Sequence, residues 1–134
     1  VSTPQAVALA DAKKGVAMFQ QDSIQDPVMG IVENMSYFTP EELPENKYYI
    51  FGRDGAKYLA EEVGVPFLGG LPLVQSLREA GDVGRPAVLQ GSTAEDAFTS
   101  ITQSLITELV QRNKKLPPTE IVKITTMAGC SAVS

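Results

Sequence analysis

The sequence predicts an α/β fold, a partial parallel sheet with flanking helices. Two short apolar runs, 28–34 (VMGIVEN) and 65–73 (VPFLGGLPL), have the length of strands and the near-continuous hydrophobicity of strands buried on both faces. They alternate with stretches of helical periodicity, the pattern of a parallel sheet whose crossovers are helices. The chain has 134 residues, 43% of them hydrophobic and 20% charged, an ordinary composition for one domain with a core of its own.

The elements follow in order. Residues 1–3 read as the end of a strand whose beginning is absent; Val1 stands where a methionine would open a gene product, which processing or a start inside a larger domain would each explain. Thr3 is placed to cap the next helix, and Pro4 suits a first helical position. Leu9, Ala12, Val16 and Phe19 recur at helical spacing and predict a helix over about 5–20. A polar loop, 21–27, leads into the first apolar run. Residues 36–52 form an irregular excursion, with Pro40 and Pro44 forbidding regular structure at its centre and 47–51 (KYYIF) a candidate short strand. A helix is expected over 54–63, with Asp54 as its cap, Ala56, Leu59 and Val63 on one face, and Gly64 as its stop. After the second apolar run, 74–82 reads as a short helix and 83–91 as a loop. Ser92 and Glu95 form a capping box for the last helix, whose apolar face is Phe98, Ile101, Leu105 and Leu109 and which Pro117 and Pro118 end. Residues 120–125 suggest a terminal strand and 127–134 a mobile tail. The expected organisation is one domain part over 1–116 and a tail over 117–134.

Composition narrows the function. A net charge of −5 argues against nucleic acid as the main partner, because phosphate binding asks for a basic face, and against an anionic membrane surface. No apolar run approaches the roughly 20 residues that span a bilayer, and no leader signals secretion. Histidine is absent, which removes the commonest general base and metal ligand. Cys130, the single cysteine, cannot form an internal disulfide and fits a reducing cytoplasm.

In a parallel sheet, ligands sit at the carboxyl ends of the strands. The corners there are 2–5, 33–36 and 71–73. At these corners the segments VSTPQAVALADAKKGVAMF, GIVENMSYF, YYIFGRDGAKYLAEEVGVPFLGGLPL and LREAGDVGRPAV occur in that order. Together they resemble the C-terminal half of the P-loop ATPase domain of the Mrp/ApbC family, which is similar to MinD and ParA. The resemblance runs from Val1 to about Val88 and loosely through the last helix. It implies an ATP-binding protein, with Mg²⁺ in the full-length parent, that dimerises and assists iron–sulfur cluster assembly or transfer to client proteins. The glycine-rich loop G-x-x-x-x-G-K-[ST] that cradles phosphates is not found, since FLGGLP is followed by no lysine. The chain is therefore expected not to hydrolyse ATP by itself, and no catalytic residue is assigned.

Asn34 ends the first buried strand. Its amide offers both a donor and an acceptor and can read a purine edge, the role the resemblance favours; as a default turn residue it can equally bond its own backbone. Pro72 and Leu73 follow the second strand and offer either a flat apolar wall for a purine or ordinary strand-exit chemistry. Arg78 and Asp82 border the same region, although a solvated helix face is the plainer reading. Asp11 is placed to pair with Lys14, or, as the resemblance allows, to face a dimer partner or the nucleotide.

The resemblance also implies a C-x-x-C pair in the excursion, two such pairs holding a cluster between subunits. Here the interval is TPEELPENK. Its Glu41, Glu42 and Glu45 are hard oxygen donors, whereas iron–sulfur clusters want soft thiolates. An iron–sulfur cluster is thus doubtful at the usual place, and no metal ligand is assigned. The aromatics Tyr37, Phe38, Tyr48, Tyr49 and Phe51 offer instead a dimer or partner contact. The alternative to a cluster carrier is a MinD/ParA-like switch, or a non-catalytic interaction module, without cluster binding.

Overall fold

The computed structural model describes residues 1–118 except 41, 44, 90 and 92. The proposed cap Ser92, the candidate ligand Glu41, the 120–125 strand, Cys130 and the tail lie outside the described residues. Among those described, helix α1 (Ala6–Phe19) leads to strand β1 (Ile31–Phe38), helix α2 (Gly55–Val63) and strand β2 (Phe67–Leu73). Helix α3 (Gln75–Asp82), a 3₁₀ turn at Ala87–Leu89 and helix α4 (Thr93–Lys115) complete the order. No helix among the described residues is long and apolar enough to cross a membrane.

The sheet is the expected parallel one, with β1 and β2 paired from Ile31↔Phe67 to Phe38↔Leu73. Residues 1–3 contribute a parallel bridge, Ser2↔Glu33, on the other side of β1. Its hydrogen bonds are firm: Ser2 N–H donates to Val32 O at 3.0 Å and Asn34 N–H to Ser2 O at 2.7 Å. Strand β1 starts later than the 28–34 expected because pairing begins only where its partner arrives. Ile31 N–H donates to the carbonyl of Pro66 at 2.8 Å, and Pro66 has no N–H with which to extend the ladder backwards. The 47–51 segment is not a strand of its own. It supplies one antiparallel bridge, Phe38↔Tyr48, with reciprocal bonds of 2.8 and 2.9 Å, and then turns.

The helices begin differently from the sequence expectation. Gln5, not Thr3, is the N-cap of α1, and no side chain caps it, so Pro4 falls just outside the helix. Asp54 does occupy the N-cap of α2, but in the left-handed region at φ 58°, and its side chain makes no capping bond. Gly64 ends α2 in the left-handed conformation as expected.

Val16, Ile31, Ala56, Leu59 and Ala60 form the buried core, with Leu9, Ala12, Val28, Val63, Val65 and Phe67 packed around it. Thus α1 lies on α2, and α2 lies on the sheet. Burial of one such leucine as Leu59 contributes about 1.5–3 kcal/mol. Helix α4 packs along β2, where Ile101 rests on the bare Cα of Gly69. Its apolar face is covered only in part: Phe98 and Ile101 are half-buried, while Leu105 and Leu109 remain 38% and 42% exposed. Length explains this. At 1.5 Å per residue α4 is about 35 Å long, against about 23 Å for β2, so its last turns overshoot the sheet. They reach Pro27, Val28 and Pro66 at the strand entries.

Gly55 opens α2 so close to the preceding corner that a Cβ there would collide with the Pro4 carbonyl oxygen, while nothing lies within 4 Å of a Cβ at Gly15 in α1. Gly15→Ala is expected to stabilise the chain by about 0.5–1 kcal/mol through helix propensity. Gly55→Ala is expected to cost about 1–3 kcal/mol through overpacking. Urea unfolding midpoints that move in opposite directions check both.

Candidate functional site

The carboxyl end of β1 is not a plain strand. Between Glu33↔Gly70 and Tyr37↔Pro72, β1 uses residues 34–36 where β2 uses only residue 71. The surplus bulges out, and a bulge re-aims the side chains it carries. Met35 takes the turn in the left-handed region at φ 55°, which costs a residue with a side chain roughly 1–2 kcal/mol. Local bonds hold it there. Asn34 Oδ1 accepts the Met35 N–H at 3.0 Å. Ser36 Oγ donates to Glu33 Oε1.

Glu33 is the deepest polar group, 1% exposed and the largest fully buried side chain among the described residues. Its second oxygen, Oε2, accepts the backbone N–H of Ala56 in the first turn of α2 at 2.8 Å. This is the N-terminal cap that Asp54 was expected to provide, and it comes from a neighbouring strand instead. A carboxylate suits that position because the first turn presents unpaired N–H groups and the positive end of the helix dipole. Gly70 leaves room for the arrangement: a Cβ there would lie 2.7 Å from Ser36 Oγ.

The sequence-expected residues distribute as follows. Asn34 stands in the bulge, half-buried, with its Oδ1 engaged by its own backbone and no described residue recorded against its Nδ2. Pro72 pairs with Tyr37, and Leu73 with Phe38, on the adjoining strand. Asn34 does not end the strand as expected: it is the fourth residue of β1, which pairs on to Phe38 because β2 continues beside it, and Pro72 and Leu73 lie further along, opposite Tyr37 and Phe38. Pro72 is buried and Leu73 half-buried. Four hollows lie elsewhere, and none of these four is lined by Asn34, Pro72 or Leu73. Arg78 and Asp82 form an exposed i,i+4 pair at 2.7 Å, with Glu79 also on Arg78 at 3.2 Å, which is the solvated helix face. Asp11 pairs with Lys14 at 3.3 Å, also in solvent.

The excursion is closed at its base by the Phe38↔Tyr48 bridge. Lys47 lies over the Tyr37 ring at 4.3 Å and Arg53 over Tyr49 at 4.8 Å. Such cation–π pairs contribute about 0.5–1 kcal/mol each when exposed. Glu42 and Glu45 are exposed, and no group of three metal-ligating side chains occurs among the described residues.

Sequence reasoning placed Glu33 at a corner without giving it a task. The signal was available: one acid inside an otherwise apolar strand must find donors when buried.

A family model described as ParA, NUBPL iron-transfer P-loop NTPase, matches residues 1–106. The chain belongs to that family. The iron–sulfur cluster carrier protein of Synechocystis is 46% identical over 107 residues, covering 78% of this chain and 30% of that protein. The mouse iron–sulfur cluster transfer protein NUBPL is 41% identical, covering 87% and 35%. The chain thus spans about a third of the length of the curated relatives it matches. Among solved structures, a nucleotide-binding protein of Archaeoglobus fulgidus in complex with ADP is similar with a TM-score of 0.55 and 33% identity, over 65% of this chain and 35% of that one. The Pyrococcus furiosus cell division ATPase MinD shares the fold alone, with a TM-score of 0.58 and 20% identity over 80% and 40%.

For a cluster as cargo, the donor set of the excursion does not fit. The interval between β1 and α2 carries no thiol, and Cys130 is the chain's single cysteine. Anaerobic treatment of the chain with ferrous iron and sulfide is expected to leave no visible absorption band after desalting. A band carrying stoichiometric iron would show ligation by another route.

Proposed function

We propose that this chain is the base-binding and dimerising part of an ATP-binding, Mrp-type iron–sulfur cluster carrier ATPase. The observation that carries the reading is the Asn34 bulge. It stands midway along a parallel strand, where the ladder opens, in a chain of this family, with an amide N–H₂ that no described residue takes up. The amide N–H₂ donates to a ring nitrogen of the adenine. Pro72 and Leu73 stand further along β2, opposite Tyr37 and Phe38, on the side of the bulge toward the strand ends. The similar Archaeoglobus protein holds ADP, which supports a nucleotide as the ligand. Phosphate binding and hydrolysis need the G-x-x-x-x-G-K-[ST] loop, with Mg²⁺ held beside it, and this sequence does not carry that loop. Clients are then the acceptors of clusters.

The absent cysteine pair favours one second reading, a MinD/ParA-like switch that dimerises on ATP and recruits a partner without carrying a cluster.

Titration of ¹⁵N-labelled chain with adenosine tests the base site. The side-chain amide of Asn34 is expected to shift saturably, and Asn34→Ala to weaken binding about tenfold, the loss of roughly one hydrogen bond. An Asn34 amide unmoved at saturating adenosine would remove the reading. The homodimer is tested separately by light scattering. Tyr37→Ala with Phe38→Ala is expected to lower the associated mass of the chain, and an unchanged mass would exclude the aromatics from the contact.

A further inference from the structure

We propose that Glu33 is the positioning residue of the base-reading corner: it ties the bulge at Asn34 to the first turn of α2 and so fixes where the Asn34 amide points. The proposal rests on the reading of Asn34 as the base contact, but its own geometry is independent of that reading. Glu33 precedes Asn34 directly. One carboxylate oxygen reaches across the bulge to Ser36, and the other reaches Ala56, 23 residues further along the chain. The bond to Ala56 is buried and the bond to Ser36 part-buried, at a side chain that is itself 1% exposed. There a charge-assisted hydrogen bond is stronger than on a surface and costly to leave unmade.

The bulge is therefore boxed from several directions. On one side, Asn34 N–H is held by Ser2 O at 2.7 Å. On another, Ser36 is drawn toward Glu33 over a Gly70 that has no Cβ to oppose it. Between them Met35 is kept at φ 55°. A free chain would relax that residue to negative φ, and relaxation would break the bond that holds Asn34 Oδ1 to the Met35 N–H. With Oδ1 bonded to the Met35 N–H, the orientation of Nδ2 follows the orientation of the bulge. Glu33 touches no ligand in this scheme; it acts through Asn34.

A buried acid that merely stabilises the fold would lower stability without displacing Asn34. The experiment separates the two. In the ¹⁵N-labelled chain, Ser36→Ala removes one donor to Glu33 and leaves the buried carboxylate bonded to Ala56. It is expected to stay folded, to shift or broaden the Asn34 side-chain amide signals without ligand, and to weaken adenosine binding about five- to tenfold. Glu33→Gln keeps an acceptor for Ala56 and a group that can bond the Ser36 hydroxyl, so its affinity is expected within about twofold of the parent. Glu33→Ala is expected to lose both the amide position and the protection of the Ala56 N–H from exchange. A folded Ser36→Ala chain in which the Asn34 amide signals coincide with the parent's would overturn the proposal. If the parent itself fails to bind adenosine, the base reading falls, and the ligand-free amide signals still decide whether Glu33 positions Asn34.

Discussion

The structure around the carboxyl end of the sheet depends on one buried carboxylate. An acid inside a strand is expensive to bury unless donors meet both its oxygens. Glu33 finds one donor within its own bulge and one at the head of α2. That requirement fixes more than the acid. The head of α2 must come close to β1, which brings Gly55 against Pro4, and Pro4 follows the Ser2 bridge on the other side of β1. A two-stranded sheet with one bridging residue beside it is a weak frame. Here a polar contact in its interior joins the strand, the bulge and a helix.

Much of the fold was legible because it depends on local pattern. The second apolar run, the stop at Gly64, the short α3 and the long α4 all follow from spacing and from turn residues. The parallel sheet follows from their alternation. What was not legible depends on partners distant in sequence. Asp54 has the chemistry of a cap, but Glu33 occupies the N–H it would take, and Asp54 turns through the left-handed region instead. The start of β1 was misplaced because the pairing partner, not the apolar run, decides where a strand begins. Leu105 and Leu109 have correct helical spacing, yet periodicity carries no information on how far β2 extends beneath them. At the candidate site, Asn34 and the Pro72 corner were singled out from the apolar runs and, for Asn34, from the family resemblance. The bulge was not, since two surplus residues in one strand appear only against the register of the other.

The excursion between β1 and α2 shows how a family frame can persist while one chemistry is missing. Its two ends are anchored as tightly as a ligand-bearing loop would need: Phe38↔Tyr48 at one level and Glu33 to Ala56 at another. Between those anchors the chain carries carboxylates, prolines and aromatics but no thiol. At the two ends of the excursion, Lys47 and Arg53 each lie over a tyrosine ring. The chain thus combines membership of the iron-transfer family with a loop that offers only hard donors.

The same tyrosines make the loop observable. The protein has no tryptophan and only 4 tyrosines, so its ultraviolet emission comes from phenol rings alone. Tyr37, Tyr48 and Tyr49 stand at or within the excursion, two of them beneath a cation, and the fourth, Tyr58, lies on α2 just beyond it. Any event that lifts Lys47 or Arg53 from its ring changes the surroundings of a large share of the chromophores. The chain thus carries its own optical reporter, concentrated on the excursion between β1 and α2, and no dye or engineered label is needed to follow that segment.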